Sequence, residues 1–504
     1  MRSSALTTLD WAILLGYLGL MVALGLRFRK RQESSERYFL GSGKLPGWAV
    51  GMSMFATVIS SWAFLALPAK SFQSDLQYLM AVSTLPLAAW IGARWFVPFF
   101  RNRIRLSAYE YLERRFGLGA RLYGNIAFLV VHFGKMAAIL YLLCLAMAEI
   151  TGADIFVLIA IVGASTVVYT FFGGMEGVVW TDVAQGFLLL GAGMVAIGFL
   201  LFGAPGGPEA VLQTAWDGGK FRLVSTTFEW NRAGSLLLVF FGLNFYTQKY
   251  LSDQTVVQRY LVAQSESQAQ RALWMSSLLV VLVWVIFMTV GALLWAYYQL
   301  QPGELPPELL QKPDKIFPHF IGHGLPAGIT GFIMAGLLAA TMSTLSSDLN
   351  SLGAVIFDDY YRKLRPIRTE RQQLFFSRLV VAVAGLLGVV LAMAMTRIHS
   401  MADAAFDFVS LVGGGVLGMF LLGMLTRTTA RAVYIGLICS VAFVLWTYFC
   451  GAKSTFLPAL PRSPFHSLWV GLLGNLIVFI CGWLAGLMMK PQLETARSSH
   501  SPEK

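Results

Sequence analysis

Apolar residues along this chain fall in long blocks separated by short charged clusters. The pattern predicts thirteen helices, near 9–26, 46–67, 79–100, 123–148, 155–172, 178–203, 234–250, 273–299, 325–357, 376–396, 406–425, 430–451 and 465–489. Most of the blocks approach the roughly 20 residues that a helix needs to cross about 30 Å of hydrocarbon. The first block is followed directly by Arg27, Arg29, Lys30 and Arg31 and by no small-residue cleavage site, so it reads as a retained span. The stretches 204–233 and 300–324 are rich in Gly and Pro and read as caps over the spans. The last residues, 490–504, read as a polar tail too short to fold alone, and no attached catalytic or signalling domain is expected.

Composition sharpens this picture. With 57% apolar and only 13% charged residues among 504, the chain is unlike a soluble enzyme, a secreted disulfide scaffold or a disordered segment. Cys144, Cys439, Cys450 and Cys481 lie in or at the ends of apolar blocks without CxxC spacing, which suggests neither a metal cage nor a disulfide framework. The net charge of +12 is distributed among short loops. If the amino terminus is outside, 24 of the 38 Lys and Arg fall on inward segments (27–44, 101–122, 251–272, 358–375, 426–431 and the tail), which marks a cytoplasmic face and a cytoplasmic carboxyl terminus. Scattered basic loops without a groove-reading patch argue against nucleic acid.

Function is sought where polar groups enter hydrocarbon, because there they are costly. Thr57, Ser60 and Ser61 in the second span belong either to an ordinary helix or to a locally unwound one whose carbonyls face a cavity. In the ninth span, Ala340, Ser343, Thr344 and Ser347 stack at i, i+3, i+4 and i+7 with Ser346 flanking them. Such a face serves close helix packing or supplies oxygens to a hard monovalent cation. Asp182 in the sixth span either favours the positive end of a helix dipole or ligates a cation. Lys135 in the fourth span calls for an aqueous cavity, an acid partner or an anionic ligand, and His132 lies one turn earlier. The short apolar run 234–246, interrupted by Asn244, Thr247, Gln248 and Lys249, is the kind of broken segment that points to a transporter binding site.

At these residues the chain resembles the sodium:solute symporter family. The resemblance is carried by Gly173-Gly174-Met175-Glu176-Gly177-Val178-Val179-Trp180-Thr181-Asp182-Val183-Ala184-Gln185-Gly186, by Ser252-Asp253-Gln254-Thr255-Val256-Val257-Gln258-Arg259-Tyr260-Leu261, and by the serine run of the ninth span. The branch containing sialic acid symporters is closest in look, through Tyr38-Phe39-Leu40-Gly41-Ser42-Gly43, Phe55-Ala56-Thr57, Ser60-Ser61, Pro68-Ala69-Lys70, Ser74-Asp75 and Ser107-Ala108-Tyr109-Glu110-Tyr111-Leu112.

The resemblance implies an all-α membrane protein with the inverted five-plus-five-helix repeat of leucine transporters. It divides the chain into a leading helix and loop (1–45), a first repeat (46–203), an outward loop (204–233), a second repeat (234–425), two trailing helices (426–489) and the tail (490–504). It implies a sodium site built from the carbonyls of Ala56, Ile59 and Ala340 and the hydroxyls of Ser343 and Thr344. A second sodium would use Asp182, Ser343, Ser346 and Ser347, giving two ions per cycle. At the substrate positions Ser60 is kept, Lys135 stands where sialic acid transporters have an arginine, and Val58, Ala63 and Val82 replace polar groups. Trp62, Phe64, Gln77 and Tyr78 are further candidates for the cavity.

The expected function is sodium-driven import of a small organic solute, a sugar or sugar acid, by a monomer in the bacterial inner membrane. The nearest rival is a carboxylate carrier. A membrane sensor predicts a cytoplasmic kinase or receiver domain, and an intramembrane enzyme predicts an HExxH pair or a nucleophile with its base. Neither signature is present in the sequence.

Overall fold

The computed structural model describes residues 6–225, 230, 233–364, 369–396, 415–450 and 461–489. Among these the regular elements are all helices, with one isolated β-bridge between Leu45 and Ala263. The main elements are α1 (Thr8–Arg27), α2 (Gly47–Val58), α3 (Ser61–Gln73), α4 (Leu79–Arg103, with a π turn at 92–96), α5 (Leu118–Thr151), α6 (Ile155–Phe202), α7 (Ser235–Ser252), α8 (Gln254–Val262), α9 (Glu266–Leu300), α10 (Ile329–Ile356), α11 (Glu370–Met395), α12 (Val416–Leu425), α13 (Ala430–Phe449) and α14 (Ser467–Met488). Nine described helices are long and apolar enough to cross a membrane, and the bent pair α2 and α3 makes a tenth span.

The thirteen expected helices map onto these elements, the block 46–67 being divided between α2 and α3. The blocks 155–172 and 178–203 are two helices, as expected, that run on within α6 and meet at a sharp corner at Gly174 (φ 54°, ψ −158°). At about 1.5 Å per residue α6 is some 70 Å long, enough for two crossings. Only glycine suits that corner: the backbone is left-handed and a Cβ would lie 2.9 Å from the Tyr38 carbonyl oxygen. The polar residues Asn244, Thr247, Gln248 and Lys249 interrupt the apolar run but not the helix: α7 covers the expected 234–250 and continues to Ser252. The break falls at Asp253, which is extended and caps α8 by accepting from the Thr255 amide at 2.9 Å. Of the block 406–425, residues 406–414 lie outside the described residues, and α12 covers the rest.

The second span is broken. Ile59 (ψ 130°) and Ser60 (ψ 178°) are extended, and the axes of α2 and α3 meet at 61°. No Gly or Pro is needed, because the β-branched run Thr57-Val58-Ile59 is a poor helix former and two serines follow it. The break leaves carbonyls at 56–59 without their usual partners. They are met by α10, which is buried over 89% of its apolar window and is thus the central element of the described structure. The segment 251–272, expected as an inward loop, instead contains α8, which is buried along nearly all its length and carries a fully buried Arg259.

Candidate functional site

Around the α2/α3 break the structure gathers the five oxygens expected of the main sodium site. Ser343 Oγ donates to Ala56 O (2.9 Å) and approaches Ala340 O (3.3 Å). Thr344 Oγ1 donates to Ile59 O (2.9 Å) and approaches Ala340 O (3.2 Å) and Thr57 O (3.4 Å). Each hydroxyl has a single proton, so two protons serve five oxygen–oxygen approaches. The remaining lone pairs converge in a buried place, which is the donor set a hard monovalent cation takes.

One turn further along α10 lies a charged locus. Asp182, fully buried on α6, accepts from Ser53 Oγ (2.6 Å) and from Arg259 Nη2 (3.1 Å) through Oδ2, with Ser347 Oγ at 3.5 Å. Its Oδ1 is buried without a partner. Arg259 also donates to Ser53 Oγ (2.9 Å), Thr255 O (2.6 Å) and Ser347 Oγ (2.5 Å). Thr57 joins the two loci: its carbonyl lies beside Thr344, and its hydroxyl lies 2.8 Å from Ser347 Oγ. Ser346 is not drawn in by its hydroxyl, which donates to Ser343 O at 3.1 Å.

A third cluster ties α5 to α10 and to the α7/α8 break. Asp348 Oδ1 is shared by Lys135 Nζ (2.9 Å) and His132 Nδ1 (2.8 Å), and His132 Nε2 lies 3.5 Å from Asp253 Oδ2, which Lys249 also contacts. Lys135 thus has the acid partner that sequence reasoning left open. Its side chain is one-fifth exposed.

The other substrate candidates are dispersed. Phe64 is completely buried, its ring enclosed by Phe287 and Phe317 at centroid distances of 4.6 and 5.4 Å, so its face is spent on packing. Ala63 and Val82 are buried, and Ser60 and Val58 are half-buried at the break. Trp62 is exposed on the helix surface. Gln77 Nε2 donates to Ala233 O (3.2 Å), and Tyr78 lies beneath the Lys70 ammonium. The residues that sequence reasoning did not assign to a site are Ser53, Arg259, Asp348 and Asp253, while Thr57 was singled out only as part of the second span, read as either intact or unwound. Asp253 and Arg259 stood within a quoted motif, and their signal was masked by reading that stretch as a loop.

The chain is similar to known proteins over nearly its whole length. The sequence profile of the sodium:solute symporter family matches residues 38–439. The sodium/sialic acid symporter NanT of Aliivibrio fischeri is 34% identical over 98% of this chain and 96% of its own. SiaT of Proteus mirabilis, another sodium/sialic acid symporter, is 34% identical over 96% of both chains. The substrate-bound, outward-open structure of a Na+-coupled sialic acid symporter with a novel Na+ site superposes with a TM-score of 0.88 at 34% identity, covering 96% of this chain and 98% of that one. The chain therefore belongs to the sodium:solute symporter family and has its all-helical, leucine-transporter-type fold.

Proposed function

We propose that this chain is a carrier, not an enzyme, and that it imports a small carboxylate-bearing solute of the sugar-acid type with two sodium ions by alternating access. The observation that carries the reading is the convergence of the Ala56, Ile59 and Ala340 carbonyls with the Ser343 and Thr344 hydroxyls. Sodium there would fasten the broken span to α10, so that ion binding favours one arrangement of the repeats 46–203 and 234–425 over the other. Asp182 with Ser343 and Ser347 is the proposed second site, which Ser346 would join only by giving up its bond to Ser343 O. The unpartnered Asp182 Oδ1 supports it. The basic loops orient the amino terminus outside and the carboxyl terminus in the cytoplasm of a bacterial inner membrane, and the functional unit is a monomer.

Lys135 is the proposed anchor for the solute carboxylate. An ammonium has three donors, and Asp348 occupies one of them in the structure. A monocarboxylate with a compact apolar body is the second reading, favoured by Val58, Ala63 and Val82, which offer no hydrogen bonds to a polyhydroxylated solute. Uptake into proteoliposomes under an inward sodium gradient, competed by sialic acid, pyruvate and glucose, separates the two. Lys135→Ala should reduce uptake of acidic solutes more than of neutral ones. An equal loss for both would assign Lys135 to holding α5 against α10.

A further inference from the structure

Glu176, at the corner where α6 turns, is 2% exposed, and both of its carboxylate oxygens are buried without a hydrogen-bond partner among the described residues. A buried carboxylate in that condition is costly and calls for a counter-ion or a proton. Gln32 packs against the same corner, its Cδ 3.1 Å from a Cβ built on Gly174. Gln32 is 5% exposed, spends its amide N–H on Gly173 O (2.8 Å), and leaves its Oε1 buried and unpartnered. Arg29, 5.0 Å from the Phe172 ring, and Arg378, 6.0 Å from the rings of Tyr38 and Phe171, make no hydrogen bond to Glu176, and the Arg378 Nε is itself buried without a partner.

The corner also adjoins the charged locus. A Cβ built on Gly41 would touch both Glu176 Cγ (3.2 Å) and Val262 Cγ1 (3.8 Å), so Glu176 sits by the end of α8, one turn beyond Arg259. The carbonyls of that last turn mark the negative end of the helix dipole, which favours a cation, and the Arg101 guanidinium already donates to Tyr260 O and Ala263 O there. Along α6 itself Glu176 precedes Asp182 by about 9 Å of rise, and both acids keep an unpartnered oxygen.

We propose that Glu176 and Gln32 form a further monovalent-cation site, which sodium occupies on leaving the Asp182 locus for the cytoplasm. This rests on the sodium-symport reading and on the orientation given by the basic loops. The site is made of hard oxygens, one of its groups is charged, and it lies on the basic face of the fold, where an ion would leave.

The test is the half-saturating sodium concentration measured separately from each face, in right-side-out and inside-out vesicles with choline as the replacement ion. Glu176→Gln keeps the shape and removes the charge. It should raise the inner-face value about tenfold, the factor carried by one charged contact, and leave the outer-face value nearly unchanged. Glu176→Asp should stay near wild type, and Gln32→Leu should give a smaller shift on the same side. These two variants carry the test if Glu176→Gln does not fold. Unchanged inner-face sodium dependence would overturn the proposal, as would an equal rise at both faces. A Glu176→Gln protein that keeps its sodium values but loses pH dependence would show that the carboxyl holds a proton instead. Wild-type protein lacking sodium dependence at both faces would defeat the symport reading itself.

Discussion

The two oxygen clusters along α10 solve one problem in different ways. At the α2/α3 break every group is neutral: three carbonyls and two hydroxyls, drawn together because a bend freed the carbonyls and a helix face supplied the hydroxyls. One turn away, Asp182 brings a full charge into the protein interior, and Arg259, itself completely buried, already neutralises it. A neutral cage can stand empty at the small cost of its internal hydrogen bonds. A buried carboxylate cannot, and the arginine holds the place a cation would take. The first cluster should therefore respond to sodium as an on-off ligand site, and the second as an exchange between two positive partners.

The largest expected effect follows from removing that partner. Arg259→Met leaves Asp182 buried and unpaired, which should cost about 3–5 kcal/mol of stability in potassium. Sodium should then recover more of the melting temperature in the variant than in the wild type. Equal sodium stabilisation of both proteins would mean that Arg259 is the permanent partner and that no ion enters there. Next, Asp182→Ala should lower the steepness of sodium activation of uptake toward a Hill coefficient of about 1, and cooperativity that survives would remove the second ion.

Thr344→Ala deletes one ligand of the neutral cage and should raise half-saturating sodium about tenfold in a titration of uptake, consistent with loss of one ion-dipole contact. The smallest effect is expected of Ser346→Ala. Its hydroxyl is bonded to its own helix, so sodium affinity should stay within about twofold of wild type. A shift as large as that of Thr344→Ala would mean that Ser346 turns toward Asp182 when sodium binds.

Much of this was legible in the chain. The hydroxyl face of α10 could be read because helical spacing puts Ala340, Ser343, Thr344 and Ser347 in register, whatever they contact. The spans were legible because hydrocarbon tolerates so few charges. The break at Ile59 was only half legible: its cause is a β-branched run, and β-branched residues also occur in intact helices. The buried Arg259 was hidden for a plainer reason. A short helix with mixed polarity looks like a loop until something covers it, and α8 is covered by its neighbours on nearly every side. Asp348 was visible in the serine run, but its pairing with His132 and Lys135 spans more than 200 residues of sequence and no periodicity encodes it.

Direct binding of radioactive sodium to purified protein, for wild type and Thr344→Ala side by side, tests the neutral cage without depending on the identity of the solute. The account predicts saturable binding in the wild type that excess potassium fails to displace, and about tenfold weaker binding at that site in the variant. Binding that potassium competes away equally well, or that Thr344→Ala leaves untouched, would contradict it.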